Sequence, residues 1–380
     1  LRVAAAQINT TVGDIDGNAR LIEKWIGLAE EQGADLVAFP ELTITGYPPE
    51  DLVLYKNFID VNSAALNRIA SGVGNIVAVV GFVDSEDEGT KLFNAAAVIH
   101  NRRIVATYRK IHLPNYGVFD ERRYFSPGNG CPVLSIRGVK VGINICEDIW
   151  EQIGPSEVQC AAGAQILINL NSSPFESGKQ GHRVDVVTEL SRRNRVYTLY
   201  TNQIGGQDEL VFDGGSMLAG PDGELLGTAA RFEESLLVAD IDAGPLEELR
   251  LQHQSNAISQ TELDRIGPSR LIEIPLAAPD THPKLPELSI HSLDRLDAVY
   301  RALVLGTRDY LRKTGFQKVA IAVSGGIDSA IVTAIAVDAI GAENVVGVAL
   351  PSRYSSEGSI IDTEDLCSRL GVELWKIPRW

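Results

Sequence analysis

The chain has 380 residues and a formal net charge of −16, a length that predicts roughly 2–3 domains. Its negative charge disfavours nucleic acid as the main partner, so an anionic ligand must be met by local Arg, Lys, Mg²⁺ or backbone N–H groups. Four cysteines without a CxxC pair (Cys131, Cys146, Cys160, Cys367) fit free thiols in a reducing cytoplasm, and no apolar run approaches the ~20 residues of a membrane span.

Residues 1–7 read as a core strand rather than a signal peptide. Residues 18–31 follow as a helix with Leu21, Ile22, Trp25, Ile26 and Leu28 on one side, and Gly33 closes it. Strands are predicted over 35–39, 75–83, 92–99 and 104–109, the last two joined by the turn Asn101-Arg102-Arg103. An apolar strand over 139–145 ends at Cys146. A helix near 151–162, a strand over 165–170, a helix over 183–195 and a strand over 196–200 continue the alternation. Pro221-Asp222-Gly223-Glu224 is a turn between two further strands. This is a layered α/β domain with hairpins, assigned to residues 1–274.

Residues 275–286 hold four prolines and read as a linker or extended crossover, assigned to 275–290. A second α/β unit, 291–380, begins with a helix over 292–311 and a strand over 319–323. A helix over 329–340, a strand over 345–350, a helix from about 359 and a strand over 372–377 complete it as parallel βαβ units. Three parallel strands are few for a domain of this type, so this unit reads as the front part of a larger one.

Between the strand and helix of that unit stands Ser324-Gly325-Gly326-Ile327-Asp328-Ser329-Ala330. A strand, a glycine turn and a helix start together aim free backbone N–H groups at an anion. Ser324, Gly325, Gly326, Ile327, Asp328 and Ser329 are therefore candidate ATP-binding residues. Asp328 is the candidate Mg²⁺ ligand on phosphate oxygens. No Lys follows the last glycine, unlike the loop of kinases and GTPases, which points to chemistry at the α-phosphate with pyrophosphate leaving. Pro351 and Arg353 lie in the loop after the next strand, at the sheet end where ligands sit in such folds.

In the first domain, Glu41, Lys110 and Cys146 each fall just past a predicted strand. If three neighbouring strands carry them, they converge at one rim. A thiolate can attack an amide carbonyl, a carboxylate can take the thiol proton, and an ammonium can stabilise the oxyanion. A lone buried cysteine is more often inert core. His112 offers a Cys/His alternative on the same strand face as Lys110.

Phe39-Pro40-Glu41, Tyr108-Arg109-Lys110-Ile111-His112-Leu113 and Asn144-Ile145-Cys146-Glu147-Asp148 resemble, in order and spacing, the three signatures of the nitrilase superfamily. That resemblance implies an α-β-β-α sandwich with Glu41 as general base, Lys110 as oxyanion stabiliser and Cys146 as nucleophile. Glu121 matches the second glutamate often seen beside the lysine.

The two domains together resemble the glutamine-dependent NAD⁺ synthetase family over essentially the whole chain. Further matching strings run from Leu113 to Glu121, from Asn171 to Phe175, over Gly178-Lys179 and from Leu350 to Ser356. The resemblance implies a C-terminal doubly wound, adenine nucleotide alpha hydrolase-like fold, truncated here, with glutamine contacts at Tyr116, Ser173 and Lys179. It also implies glutamine, ATP and deamido-NAD⁺ as substrates, Mg²⁺, an adenylated intermediate, an ammonia channel and a large homo-oligomer, commonly an octamer. The rival readings are a stand-alone amidase with a vestigial ATP domain, another ATP pyrophosphatase amidotransferase, and a non-catalytic nucleotide sensor.

Overall fold

Along Arg2–Gln7 every residue is buried, yet the strand has two faces. Val3 and Ala5 join one apolar cluster and Ala4 and Ala6 another, the period-2 alternation of a strand covered on both sides. The computed structural model describes residues 1–246, 259–278 and 283–378. They divide into two compact units, Leu1–Ile204 with Phe212–Ser292, and Gly205–Val211 with Leu293–Trp380.

The first unit is built on two sheets. One runs in the order Ser235–Asp240, Arg2–Gln7, Leu36–Ala38, Val77–Glu86, Lys91–His100, Arg103–Arg109. The other runs Leu225–Thr228, Met217–Ala219, Tyr197–Asn202, Ile166–Asn171, Val139–Ile145, Cys131–Ile136, Ser269–Ile274. Val3, Leu36, Val77 and Val79 of the first sheet share a core with Ile143, Ile145, Ile166 and Ile168 of the second. The opposite face of the first sheet packs Val37, Ala78 and Val80 under helices Ile15–Glu31 and Lys56–Gly72. The outer face of the second packs Leu167 and Tyr200 under Val187 and Leu190 of helix Lys179–Asn194. The layers are thus α-β-β-α.

The first helix begins at Ile15, earlier than the periodicity predicts, because the Asp14 carboxylate accepts the Gly17 N–H and caps it. Helix Lys56–Gly72 and strand Cys131–Ile136 were not predicted. The helix buries Asn62 beside Ile59, Leu66 and Ile69, and the Asn62 amide donates to Val83 O at 2.7 Å. Asn101 and Arg102 both take positive φ, +46° and +61°, which matches the right-handed twist of their hairpin. The proline-rich stretch after Ile274 forms neither helix nor strand where described, and it is tied down. Ala277 exchanges two hydrogen bonds with Asn75, Pro283 O accepts from Arg2, and Ser289 O accepts from Thr228 N. Residues 279–282 of the expected linker lie outside the described residues.

The second unit has a parallel sheet in the order Val319–Ala322, Val345–Ala349, Glu373–Lys376. Helices Arg295–Thr314, Ile327–Ile340 and Glu357–Leu370 accompany it. Val323, Ala336, Val345, Cys367 and Val372 form its core. Its other segment, Gly205–Val211, is held to the first of these helices: Gly206 N donates to the buried Asp309 carboxylate at 2.8 Å, and Lys313 Nζ donates to Gly206 O at 2.8 Å.

Candidate active site

Strand polarity assembles the first site. Leu36–Ala38 and Arg103–Arg109 point the same way, each related to Val77–Glu86 by one parallel or two antiparallel pairings. Their C-terminal ends deliver Glu41 and Lys110. In the facing sheet, Val139–Ile145 and Ile166–Asn171 are parallel neighbours and deliver Cys146, Ser172 and Ser173. The three residues therefore meet across the sandwich, not from three neighbouring strands of one rim as the sequence reading supposed. Gly81 makes the Glu41 turn possible. A Cβ there would lie 2.4 Å from Pro40 O and 2.5 Å from Leu42 N, distances no side chain can occupy.

Lys110 Nζ donates at 2.7 Å to Glu41 Oε1 and at 2.7 Å to Glu121 Oε1. Asn94 Nδ2 donates to Glu41 Oε1 at 2.7 Å and to Glu121 Oε2 at 3.3 Å. The Tyr47 hydroxyl donates to Glu121, and Ser172 N donates to Glu41 Oε2 at 3.1 Å. Both acids, the lysine and Asn94 are buried. Cys146 sits at φ +44°, an uncommon conformation for a residue with a side chain and one that concentrates at functional sites. It opens a short 3₁₀ turn, Cys146–Ile149.

Burial and the Glu41 carboxylate push the Cys146 thiol well above its ordinary range, while Lys110 opposes them. The resting residue is therefore a thiol that needs a base. Burial alone would lower the Lys110 pKa, but Glu121 and Glu41 outweigh it and hold the ammonium protonated. Burial raises the Glu121 carboxyl to about 7, with Lys110 pulling against it. The arrangement can move one proton from sulfur to carboxylate while a fixed positive charge faces a developing oxyanion.

The other predicted contacts are distributed around this cluster. The Tyr116 hydroxyl donates to Glu147, the residue after Cys146, at 2.8 Å, and both line a hollow of about 640 Å³. Ser173 is buried, and its hydroxyl accepts from Arg183 Nε at 3.1 Å. Lys179 is half-buried at the start of its helix. Burial and Arg183 lower its pKa. His112 lies beyond the strand, which ends at Arg109. Its backbone N–H donates to Asp148 and its ring adjoins Gly154, so the Cys/His pairing on one strand face is not what forms.

Asn94, Tyr47, Ser172, Asp148 and Arg183 escaped the sequence reading. Asn94 had a signal, a lone polar residue within the otherwise apolar stretch 92–99. Asp148 lies within the Asn144-Ile145-Cys146-Glu147-Asp148 string. Arg183 is fully buried, bonded to Ser173 O, Pro174 O and Asp213, and nothing in its local sequence announced that.

In the second unit the predicted phosphate loop forms between strand Val319–Ala322 and helix Ile327–Ile340. Gly325 has φ +79°, and a Cβ there would lie 2.4 Å from Ser359 O, so only glycine fits. Gly326 caps the helix without a side-chain bond, leaving the first N–H groups of the helix to meet an anion. Ser329 Oγ accepts from Ser324 N and bonds Gly326 O. Ser324 and Pro351 line one hollow of about 200 Å³. Ile327 and Asp328 are exposed, and Arg353 stands over the Tyr354 ring. Among the described residues no three His, Cys, Asp or Glu side chains gather as a metal site, and no helix is long and apolar enough to cross a membrane.

The carbon-nitrogen hydrolase family model matches residues 2–251, and the NAD synthase model matches residues 299–379. The chain belongs to the carbon-nitrogen hydrolase family. It is 40% identical over its whole length to the glutamine-dependent NAD(+) synthetase of Thermotoga maritima, covering 65% of that protein. It is 38% identical over its whole length to that of Aquifex aeolicus, again covering 65%. A solved glutamine-dependent NAD⁺ synthetase from Acinetobacter baumannii, in complex with adenosine diphosphate, superposes with TM-score 0.84 at 36% identity, over 99% of this chain and 64% of that one. An amidase from Nesterenkonia sp. superposes with TM-score 0.58 at 27% identity, over 70% of this chain and 95% of that one. In a structure of a mutant of the amidase from Nesterenkonia sp. AN1, acrylamide has added to the active-site cysteine. The chain thus spans about 65% of the length of the synthetases it matches.

Proposed function

We propose that the first unit hydrolyses the side-chain amide of glutamine and that its ammonia serves an ATP-dependent amidation of deamido-NAD⁺ to NAD⁺. The observation that carries the hydrolytic half is the buried Glu41–Lys110–Glu121 cluster beside a cysteine at φ +44°. Cys146 Sγ attacks the amide carbon as Glu41 takes the thiol proton, and Lys110 faces the oxyanion. Collapse of the tetrahedral adduct breaks the C–N bond. The leaving nitrogen takes the proton from Glu41 and departs as ammonia, leaving a γ-glutamyl thioester. Water, deprotonated by Glu41, then releases glutamate and returns the thiol.

Glu121 holds Lys110 between two carboxylates. Ser173 and Lys179 supply a hydroxyl and an ammonium that suit the α-carboxylate of the substrate, and Tyr116 borders its amino end with Glu147. In the second unit Ser324 to Ser329, with Pro351 and Arg353, cradle ATP for attack on its α-phosphate and release of pyrophosphate. The donor set fits Mg²⁺ only in part. Asp328 offers one exposed carboxylate, so a bound ion would take its remaining oxygens from phosphates and water. When bound, Mg²⁺ would supply charge neutralisation on those phosphates. We place the protein in the cytoplasm and expect a homo-oligomer, by analogy with the family.

The experiment measures glutamate, AMP and NAD⁺ from deamido-NAD⁺ and Mg·ATP, with glutamine or with ammonium. Loss of only the glutamine route in Cys146→Ala supports two separate sites. Equal loss with both nitrogen sources contradicts them. Steady glutamate release without AMP would bring the stand-alone amidase reading back into play.

A further inference from the structure

Asp148 follows Cys146 by two residues in the same 3₁₀ turn and is completely buried. Its carboxylate accepts four hydrogen bonds. Oδ2 takes the Tyr108 hydroxyl at 2.6 Å and Ile145 N at 2.9 Å. Oδ1 takes His112 N at 2.9 Å and Ile111 N at 3.2 Å. These donors belong to the two halves of the catalytic cluster. Ile145 is the last residue of the nucleophile's strand. Ile111 and His112 directly follow Lys110, and Tyr108 precedes it by two.

An ionised carboxylate offers about four lone-pair sites, and all are filled here. Asp148 therefore has no acceptor left for a substrate proton, and its part in the reaction is geometric. Burial raises its pKa, and the Tyr108, His112 and Ile145 donors pull the other way. The residue it ties down, Ile145, adjoins Cys146, which sits at φ +44°. The residues it ties on the other side fix where the Lys110 stem leaves its strand.

We propose that Asp148 is a positioning residue that sets the placement of the Cys146 sulfur against Lys110 by clamping both backbone segments to one carboxylate. This rests on reading Cys146 as the nucleophile. Replacement by Asn keeps the volume but leaves one acceptor oxygen, and turns an amide N–H₂ toward N–H or O–H donors. The clamp then opens on one side.

The test uses the 380-residue chain. It measures the rate of Cys146 alkylation by iodoacetamide, with Cys146→Ala supplying the background from the other cysteines, and kcat and KM for glutamate release. Because misplacement of a reacting group by an ångström costs about 10²-fold, Asp148→Asn should lower both the alkylation rate and kcat by about that factor, with KM within about threefold. Tyr108→Phe removes one of the four bonds and should lower the same two quantities by a smaller factor, roughly 3–10-fold. An Asp148→Asn protein that melts at lower temperature but alkylates and turns over at the wild-type rate would overturn the proposal. So would a change in KM alone. If Asp148→Asn does not fold, Tyr108→Phe decides by the same criteria. Absence of glutamate release from the wild type would count against the glutamine reading, whereas alkylation would still decide the role of Asp148.

Discussion

The two candidate sites hold their charges in opposite ways. In the first unit the working groups are side chains, sealed from water and bonded to one another before any ligand arrives: Glu41 and Lys110 are 0% and 1% exposed. In the second, the loop that would meet phosphates offers mainly backbone N–H groups, and Ile327 at its tip is 80% exposed. A covalent step needs fixed acids, bases and cations at ångström precision. Holding a polyanion needs only directed N–H groups and a tight turn. The first site should thus fail through chemistry and electrostatics when altered, and the second through backbone shape.

The sharpest break is Cys146→Ala. Glutamate release should fall by on the order of 10⁴-fold or more while adenosine diphosphate binding, read by calorimetry, stays within twofold. Lys110→Met comes next. It removes the oxyanion charge, for a loss of about 10²–10³ in kcat, and leaves two buried carboxylates without their cation, which costs about 3–5 kcal/mol in a urea melt. An unchanged melt would contradict the buried network.

Glu121 gives a pH signature. Its carboxyl is raised to about 7, so the folded protein binds a proton that the unfolded chain has already lost above the ordinary value of 4.5. The stabilisation from that proton is complete below 4.5 and is lost as pH rises to about 7. Activity should run the other way. As pH climbs through about 7, Glu121 ionises and secures Lys110, so kcat/KM should rise, and Glu121→Gln should erase that limb. A limb that survives the substitution would assign it elsewhere.

Smaller effects belong to the loop. Gly325→Ala forces a side chain against Ser359 O and should impose about 1–3 kcal/mol of local strain, seen as weaker adenosine diphosphate binding with normal glutamate release. Asp328→Ala should only reduce the Mg²⁺ dependence of that binding, because one exposed carboxylate is all it removes.

This contrast also explains what could be read in the chain beforehand. Glu41, Lys110, Cys146 and the glycine turn were legible as candidates because each stands at a strand end, where periodicity breaks. Asn94 and Asp148 were not singled out, since their partners are 27 to 53 residues away or donate from the backbone. Helix Lys56–Gly72 passed unnoticed because small residues and Asn62 dilute its apolar face. The alternation of strands and helices was visible, whereas pairing of the two halves of the candidate site across a sandwich is a tertiary fact that no local pattern encodes.

The segment Gly205–Val211 clusters with residues 293 onward, although the chain on both sides of it belongs to the other unit. The second unit is therefore discontinuous in sequence, and a gene cut near residue 292 would not excise it whole. A fragment starting there would lack the amide that satisfies the Asp309 carboxylate and the carbonyl that receives Lys313. A dissection strategy for this protein must graft that short loop back, or keep the chain in one piece.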